Sequence, residues 1–479
     1  MEMYLYKTTL VGHNYPYKKT KHNSADMLKR SALQYLKNWK DKKNRKPLVI
    51  RGARQVGKSY LVRIFAEAAQ LDLLEINLEL HDSYKECFTS KNPQQIITLL
   101  ELKTSQKISP GKTLLFLDEI QAAPEILASL RYFYELIPDL HVICAGSLLE
   151  FILAEHTFSM PVGRIEYLYL GPMTFKEFLD GTGKRQLRDF IEQYKVQDEF
   201  PAVIHKELMK MFRVYCAVGG MPEAIQTYQD SGSMLDVDAV KQSILLTYRD
   251  DFNKYGSRVK HTRLQNVFQK LPLQVGQKLK YVNLAQNVKS VELKKALHLL
   301  AQAKVYTPVY HSAANGIPLR AESNEKMQKP LFLDIGLLVA ACGMSYADIV
   351  EVDDVKLVNS GPICEQFIGQ HLLDSRQSFE KPELFYWCRE KRQASAEVDY
   401  LQAYGSTIFP VEVKAGKTGT LKSLQIFIKE KSSPFGVRFN TDLPSHHNAV
   451  FSLPDTPGTF RLLSLPLYMV EELQRLIGS

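Results

Sequence analysis

Residues 52 to 59, Gly52-Ala53-Arg54-Gln55-Val56-Gly57-Lys58-Ser59, fit the pattern G-x-x-x-x-G-K-[ST]. The apolar run KPLVIRGA (46–53) leads into them and a helix-like stretch, SYLVRIFAEAAQ, leads out. Between a strand and a helix, a loop of this make-up is suited to phosphates. Its glycines let backbone N–H groups wrap them, Lys58 reaches the β- and γ-phosphates, and the Ser59 hydroxyl ligates Mg²⁺.

Further short apolar runs follow at LLEINLEL (73–80), TLLFLDEI (113–120) and HVICAGSL (141–148), separated by helix-like stretches. This alternation predicts an α/β domain with a parallel sheet around the P-loop. An acidic pair ends the second of these runs. Asp118 is placed to hold Mg²⁺, and Glu119 to orient or activate a water at the γ-phosphate, which implies hydrolysis beyond mere binding. Ser147, at the end of the next strand, is either a sensor of the γ-phosphate or the N-cap of the following helix. Arg164, just before the strand-like run IEYLYL (165–170), either stabilises phosphoryl-transfer charge, in cis or from a neighbouring subunit, or forms a surface salt bridge.

The rest of the chain divides by pattern. Residues 1–27 form a basic arm, and LKRSALQYLKNWKDKK (28–43) is an amphipathic helix leading into the P-loop core, which runs to 172. A mostly helical lid spans 173–255, broken at VGGMPEAI (218–225). Within 256–325, helix-like stretches near 263–270, 283–287 and 290–303 precede KVYTPVY and a turn at Asn315-Gly316, the order of a winged helix-turn-helix. Its last helix either reads duplex DNA, with Lys289, Lys294 and Lys295 as contacts, or serves as a protein spacer. Residues 326–479 read as a separate α+β domain.

That last domain carries a second constellation. Asp399 lies on AEVDYLQA, and Glu412 and Lys414 share one face of TIFPVEVKA, across a turn at Tyr404-Gly405-Ser406. Asp399 and Glu412 on adjacent strands are able to share a divalent metal that polarises a phosphodiester. Lys414 would position water or neutralise charge, Glu365 would complete the shell, and Gln425 is a weaker candidate. The other reading is a set of ion pairs that satisfy one another on the sheet.

Taken in order, RKPLVIRGARQVGKSYLV, LLFLDEIQ, AGSLL, GRIEYLYLGPMTFKEFL, PLFLDIGLL and EVDY…VEVK resemble a prokaryotic AAA+ ATPase family in which the ATPase core is joined to a C-terminal PD-(D/E)XK nuclease-like domain. The resemblance covers nearly all of the chain beyond about residue 25. It implies ATP bound by Gly52 to Ser59, Mg²⁺ and hydrolysis through Asp118 and Glu119, and a restriction-endonuclease-like fold at the C-terminus. Ser59 stands where threonine is common, and either hydroxyl serves.

Composition adds limits. A net charge of +9 across 479 residues suggests nucleic acid until its location is found: residues 18–46 hold 11 Lys/Arg against 2 Asp/Glu, and the remainder sums to zero. Six scattered cysteines without a C-x-x-C pair suggest a reducing cytosol, and the start of the chain lacks the apolar stretch of a signal peptide. The expectation is therefore a cytoplasmic Mg²⁺-dependent ATPase whose nucleotide state controls the nuclease-like domain acting on DNA. The alternative is an ATP-driven switch whose C-terminal domain does not cut and binds DNA or a protein, with further copies of itself as partners and no membrane. A metabolic kinase is disfavoured by the Asp-Glu pair and the appended domains.

Overall fold

The computed structural model describes residues 28–151, 161, 163–252, 261–350, 360–389, 396–416, 420–453 and 457–478. The proposed arm at 1–27 lies outside them.

Five parallel strands form the first sheet: β1 (Leu48–Arg51), β2 (Asp72–Asn77), β3 (Thr113–Asp118), β4 (His141–Gly146) and β5 (Glu166–Tyr169), in the order β2-β3-β4-β1-β5. Every residue of β3 and β4 is buried, as expected for parallel strands covered on both faces. Alternate side chains feed two cores. Leu48, Ile50, Leu114, Phe116 and Ile143 pack with Trp39 and Phe65, whereas Val49, Leu115, Leu117 and Val142 pack with Ile96 and Leu127. Trp39 and Leu36, both fully buried, dock the leading helix Ala32–Lys40 on this sheet. The registers Asn77↔Asp118, Arg51↔Gly146 and Arg51↔Tyr169 align the carboxyl ends of the strands along one edge. Loops leaving that edge therefore meet, which is where ligands bind in open α/β sheets.

The segment expected as a lid holds helices Phe175–Gly181, Arg185–Gln193, Ala202–Val218, Pro222–Ser231 and Met234–Asp251. Its break at Gly219 is a close approach: φ is +85°, and a Cβ there would lie 2.8 Å from the Gly336 Cα and 2.3 Å from Asp334 Oδ1. Asp334 caps helix Ile335–Ala341 and also accepts the Gly220 N–H at 2.6 Å, locking lid and C-terminal half together.

Helices His261–Lys270, Tyr281–Leu284 and Ser290–Gln302 occur close to their predicted positions. The hairpin after them, β6 (Tyr306–Ser312) and β7 (Ser323–Phe332), does not form a free wing. It is one edge of an eight-stranded mixed sheet completed by β8 (Leu384–Cys388), β9 (Glu397–Tyr404), β10 (Thr407–Val413), β11 (Phe435–Asn440), β12 (Ser445–Val450) and β13 (Thr459–Pro466). Because β6 pairs in parallel with β8, a division at residue 325 falls inside β7, and one sheet crosses it. Lys289, Lys294 and Lys295 are exposed, with Lys295 beside Glu292 at 3.7 Å. No helix among the described residues is long and apolar enough to cross a membrane.

Candidate active site

The loop Gly52–Ser59 leaves β1 at the carboxyl edge and turns into helix Lys58–Ala68 through Gln55 (φ +63°) and Gly57 (φ +88°). Gly52 has no room for a side chain, since a Cβ would lie 2.2 Å from the Leu170 carbonyl oxygen. Ala53 and Val56 are buried and anchor the loop, leaving Gln55 exposed. The first N–H groups of the helix have no acceptors within it and form, with the loop amides, a site for anions.

Lys58 is buried, and its Nζ donates to the carbonyls of Gly52 (3.1 Å) and Ala53 (2.7 Å). Burial lowers its pKa to about 8, against the opposing pull of Glu119 and Asp118. Ser59 Oγ donates to Asp118 Oδ2 at 2.7 Å, so the hydroxyl and carboxylate converge as a Mg²⁺–nucleotide site requires. Burial, with Glu119 and Glu75 nearby, raises the Asp118 pKa, and an arriving cation would reverse that pressure. Glu119 follows in a left-handed turn (φ +52°), its N–H bonded to Asp118 Oδ1 at 3.0 Å. Ser147 is buried one residue beyond β4, at the same edge.

Arg164 is not brought to this site. It precedes β5, at the opposite end of the strands, where it pairs with exposed Glu135 at 2.9 Å and covers the Tyr134 ring. Within one chain it takes the salt-bridge role.

Three connections to the loop come from residues distant in sequence. Arg54 pairs with Asp251 at the end of a lid helix, whose Tyr248 hydroxyl donates to the Arg54 carbonyl at 2.8 Å. Arg51 bonds both carboxylate oxygens of Glu150, which also lies 3.6 Å from Lys304, just after helix Ser290–Gln302. Buried Arg30 donates to the Val56 carbonyl (2.8 Å) and pairs with Glu177 (3.0 Å). Arginines are common, and nothing local to Arg30 marks it for this use.

Near Arg30 lies a group of buried acids. Burial, with Glu177 adding repulsion and Arg30 opposing, raises Asp374 to about 8. Burial raises Glu471 to about 7, although Lys176 opposes it and its backbone N–H donates to Glu471 at 2.9 Å. Both acids hold protons in the fold that the unfolded chain releases near pH 4, so stability falls as pH rises between about 4 and 8. The thermal midpoint should therefore drop across that window, and Asp374→Asn should shrink the drop; an unchanged slope in the variant would refute this assignment.

In the C-terminal sheet, β9 and β10 pair through the expected turn, and Asp399 Oδ2 accepts the Val413 N–H at 2.8 Å. Glu365, on helix Ser360–Asp374, faces the same region, but the positive charge there is Lys329 on β7. Its buried ammonium lies 2.8 Å from Glu365, 3.2 Å from Glu397 and 3.5 Å from Asp399. Glu412 pairs with Lys414 at 2.6 Å, and its buried Oε2 has no hydrogen-bond partner. Burial, then Asp399, raises Glu365 to about 7 and Glu412 to about 8. Among the described residues no three acidic, histidine or cysteine side chains gather as a metal shell. Gln425 instead accepts from Ser452, and His446 and His447 are exposed on edge strand β12. Nothing in the Asp399–Lys414 spacing announces Lys329, because it comes from a strand 70 residues earlier.

Three family models match the sequence. An AAA domain matches residues 44–179, a domain of unknown function (DUF8612) matches 209–348, and another (DUF4143) matches 360–450. The AAA domain match over residues 44–179 supports a nucleotide-binding ATPase segment there. The match supports ATP binding and hydrolysis, and the loop, Lys58, Ser59, Asp118 and Glu119 all lie within the matched segment. The second model runs from the lid across β6 and β7, and the third covers Glu365, Asp399, Glu412 and Lys414. No curated protein matches the chain. Solved structures that align include C. elegans PCH-2, at 14% identity over 44% of this chain and 67% of that one. The Thermotoga maritima RuvB Holliday junction branch migration motor aligns at 16% identity over 57% and 86%. Both have a TM-score of 0.28, too low to carry an inference about this chain.

Proposed function

We propose that the chain is a Mg²⁺-dependent ATPase working as a nucleotide-driven switch, with its C-terminal sheet engaging DNA or a protein partner. The observation that carries this reading is the wiring of the phosphate loop: Arg54 to the lid through Asp251, Arg51 through Glu150 toward Lys304, and Arg30 through Glu177 toward the C-terminal acids. Bound Mg²⁺ would neutralise phosphate charge, held by Ser59 and Asp118. Lys58 would hold the phosphates, Glu119 would take the proton of the attacking water, and Ser147, at the end of β4, would sense the γ-phosphate. Contacts made and lost at the γ-phosphate then bias those three ion-pair systems. Arg164, half-buried at the far end, would act in catalysis only toward a neighbouring copy.

A second reading, in which Asp399, Glu412, Glu365 and Lys414 cut DNA under nucleotide control, is supported by their meeting at one place. Lys329 weighs against it, because an ammonium already neutralises two of the expected metal ligands. Mn²⁺ titration without nucleotide is therefore expected to give the same uptake for wild type and Asp399→Ala. A site lost in the variant would restore the metal-centre reading.

The function is tested by ATP turnover of wild type, with and without duplex or single-stranded DNA, while DNA integrity is followed. Turnover without cleavage supports the switch. DNA stimulation names DNA as the partner, and indifference to DNA points to a protein. Cleavage lost in Asp399→Ala supports the nuclease, and no turnover at all removes the proposal.

A further inference from the structure

The two residues after Glu119 contain a feature the ATPase reading leaves unused. Ile120–Ala122 form a short 3-10 turn, and from it Gln121 reaches back so that its Nε2 donates to Glu119 Oε2. The other end of the same amide, Oε1, is buried and has no hydrogen-bond partner. Rotating the amide would not help, because it would set an amide oxygen against the Glu119 carboxylate. The bond to Glu119 thus dictates the orientation and leaves the orphan oxygen as its consequence. A buried polar atom left unpaired in this way is uncommon and concentrates at functional sites.

A second observation comes from the neighbouring strand. Gly146, the last residue of β4, would place a Cβ 2.4 Å from Gln121 Oε1 and 3.1 Å from Ile120 Cγ2. Its φ is not in the left-handed region, so the backbone does not demand glycine there. The space does: the missing side chain is where the Gln121 amide rests. Gln121 is thereby held between Glu119 and the strand end that presents Ser147.

We propose that Gln121 is a positioning residue for ATP hydrolysis, orienting the Glu119 carboxylate through one oxygen and leaving the other for the attacking water. This rests on the reading of Glu119 as the general base. A carboxylate on a single flexible side chain otherwise samples several rotamers, and small misplacements of a catalytic group are costly. Gly146 is the second half of the device, since any side chain there evicts the amide.

The test measures steady-state ATP turnover and the binding of a fluorescent ATP analogue by the full chain. Gln121→Ala, and the similarly sized Gln121→Met that removes the donor without a large cavity or an added charge, should each lower kcat roughly 10–100-fold, with KM and analogue binding nearly unchanged. Gly146→Ala should show the same split, and Gly146→Ala with Gln121→Ala should be no slower than either alone, because both remove one interaction. Equal or faster turnover in Gln121→Ala, analogue binding falling in step with kcat, or multiplying effects in the double variant would overturn the proposal while leaving the ATPase reading intact. Wild type that fails to hydrolyse ATP would instead remove the reading itself.

Discussion

Lys58→Ala is expected to lower ATP turnover about 10²–10³-fold or more, with nucleotide binding lost alongside. In the free protein this ammonium is buried and satisfied by the carbonyls of Gly52 and Ala53. It is therefore held in place before nucleotide arrives, and phosphates gain a charge whose ordering is already complete. The same burial adds a pH signature. With its pKa lowered to about 8 by desolvation, Lys58 loses its charge as pH rises through that value, although bound phosphate favours the charged form. ATP affinity should weaken above about pH 8, by up to tenfold per unit, and Lys58→Ala should abolish that limb. Nucleotide binding that is flat with pH in wild type, or an alanine variant that still binds, would show that Lys58 is not the phosphate ligand.

Glu119→Gln should separate binding from chemistry. The amide keeps the shape of the side chain but cannot accept a proton, so kcat is expected to fall about 10²–10⁴-fold while ATP still binds. The 2.7 Å contact between Ser59 and Asp118 does not involve Glu119, so the nucleotide site should stay assembled. Filter binding with labelled ATP, beside single-turnover hydrolysis, would show ATP held and uncleaved. Turnover within tenfold of wild type would remove Glu119 as the general base and leave Gln121 without the partner inferred for it.

The nucleotide site was legible because each of its parts is local. A strand, a glycine loop and a helix N-terminus are contiguous between residues 46 and 68, and Asp118-Glu119 ends a six-residue run that is wholly buried. Once the strands are parallel and in register, Asp118 must arrive near Ser59. The β9–β10 hairpin was legible for the same reason, since period-2 alternation and a two-residue turn set its register. The β6–β7 hairpin was legible only in part, because hairpin signals stop at the hairpin. They do not tell whether β6 has a further neighbour, and here β8 supplies one.

The sequence by itself therefore determined which chemistry the first 180 residues support, because turn residues, apolar periodicity and strand ends act over a few neighbours. Tertiary structure decided what that chemistry is connected to. Arg30, Asp251, Glu150 and Lys304 meet around the loop, and Lys329 sits among the C-terminal acids, across separations of tens to hundreds of residues. Any of the 61 lysines and arginines has the charge for such a pairing. Packing of sheet and lid selects the few that are buried beside a carboxylate, where leaving either partner alone would carry the desolvation cost of an unpaired ion.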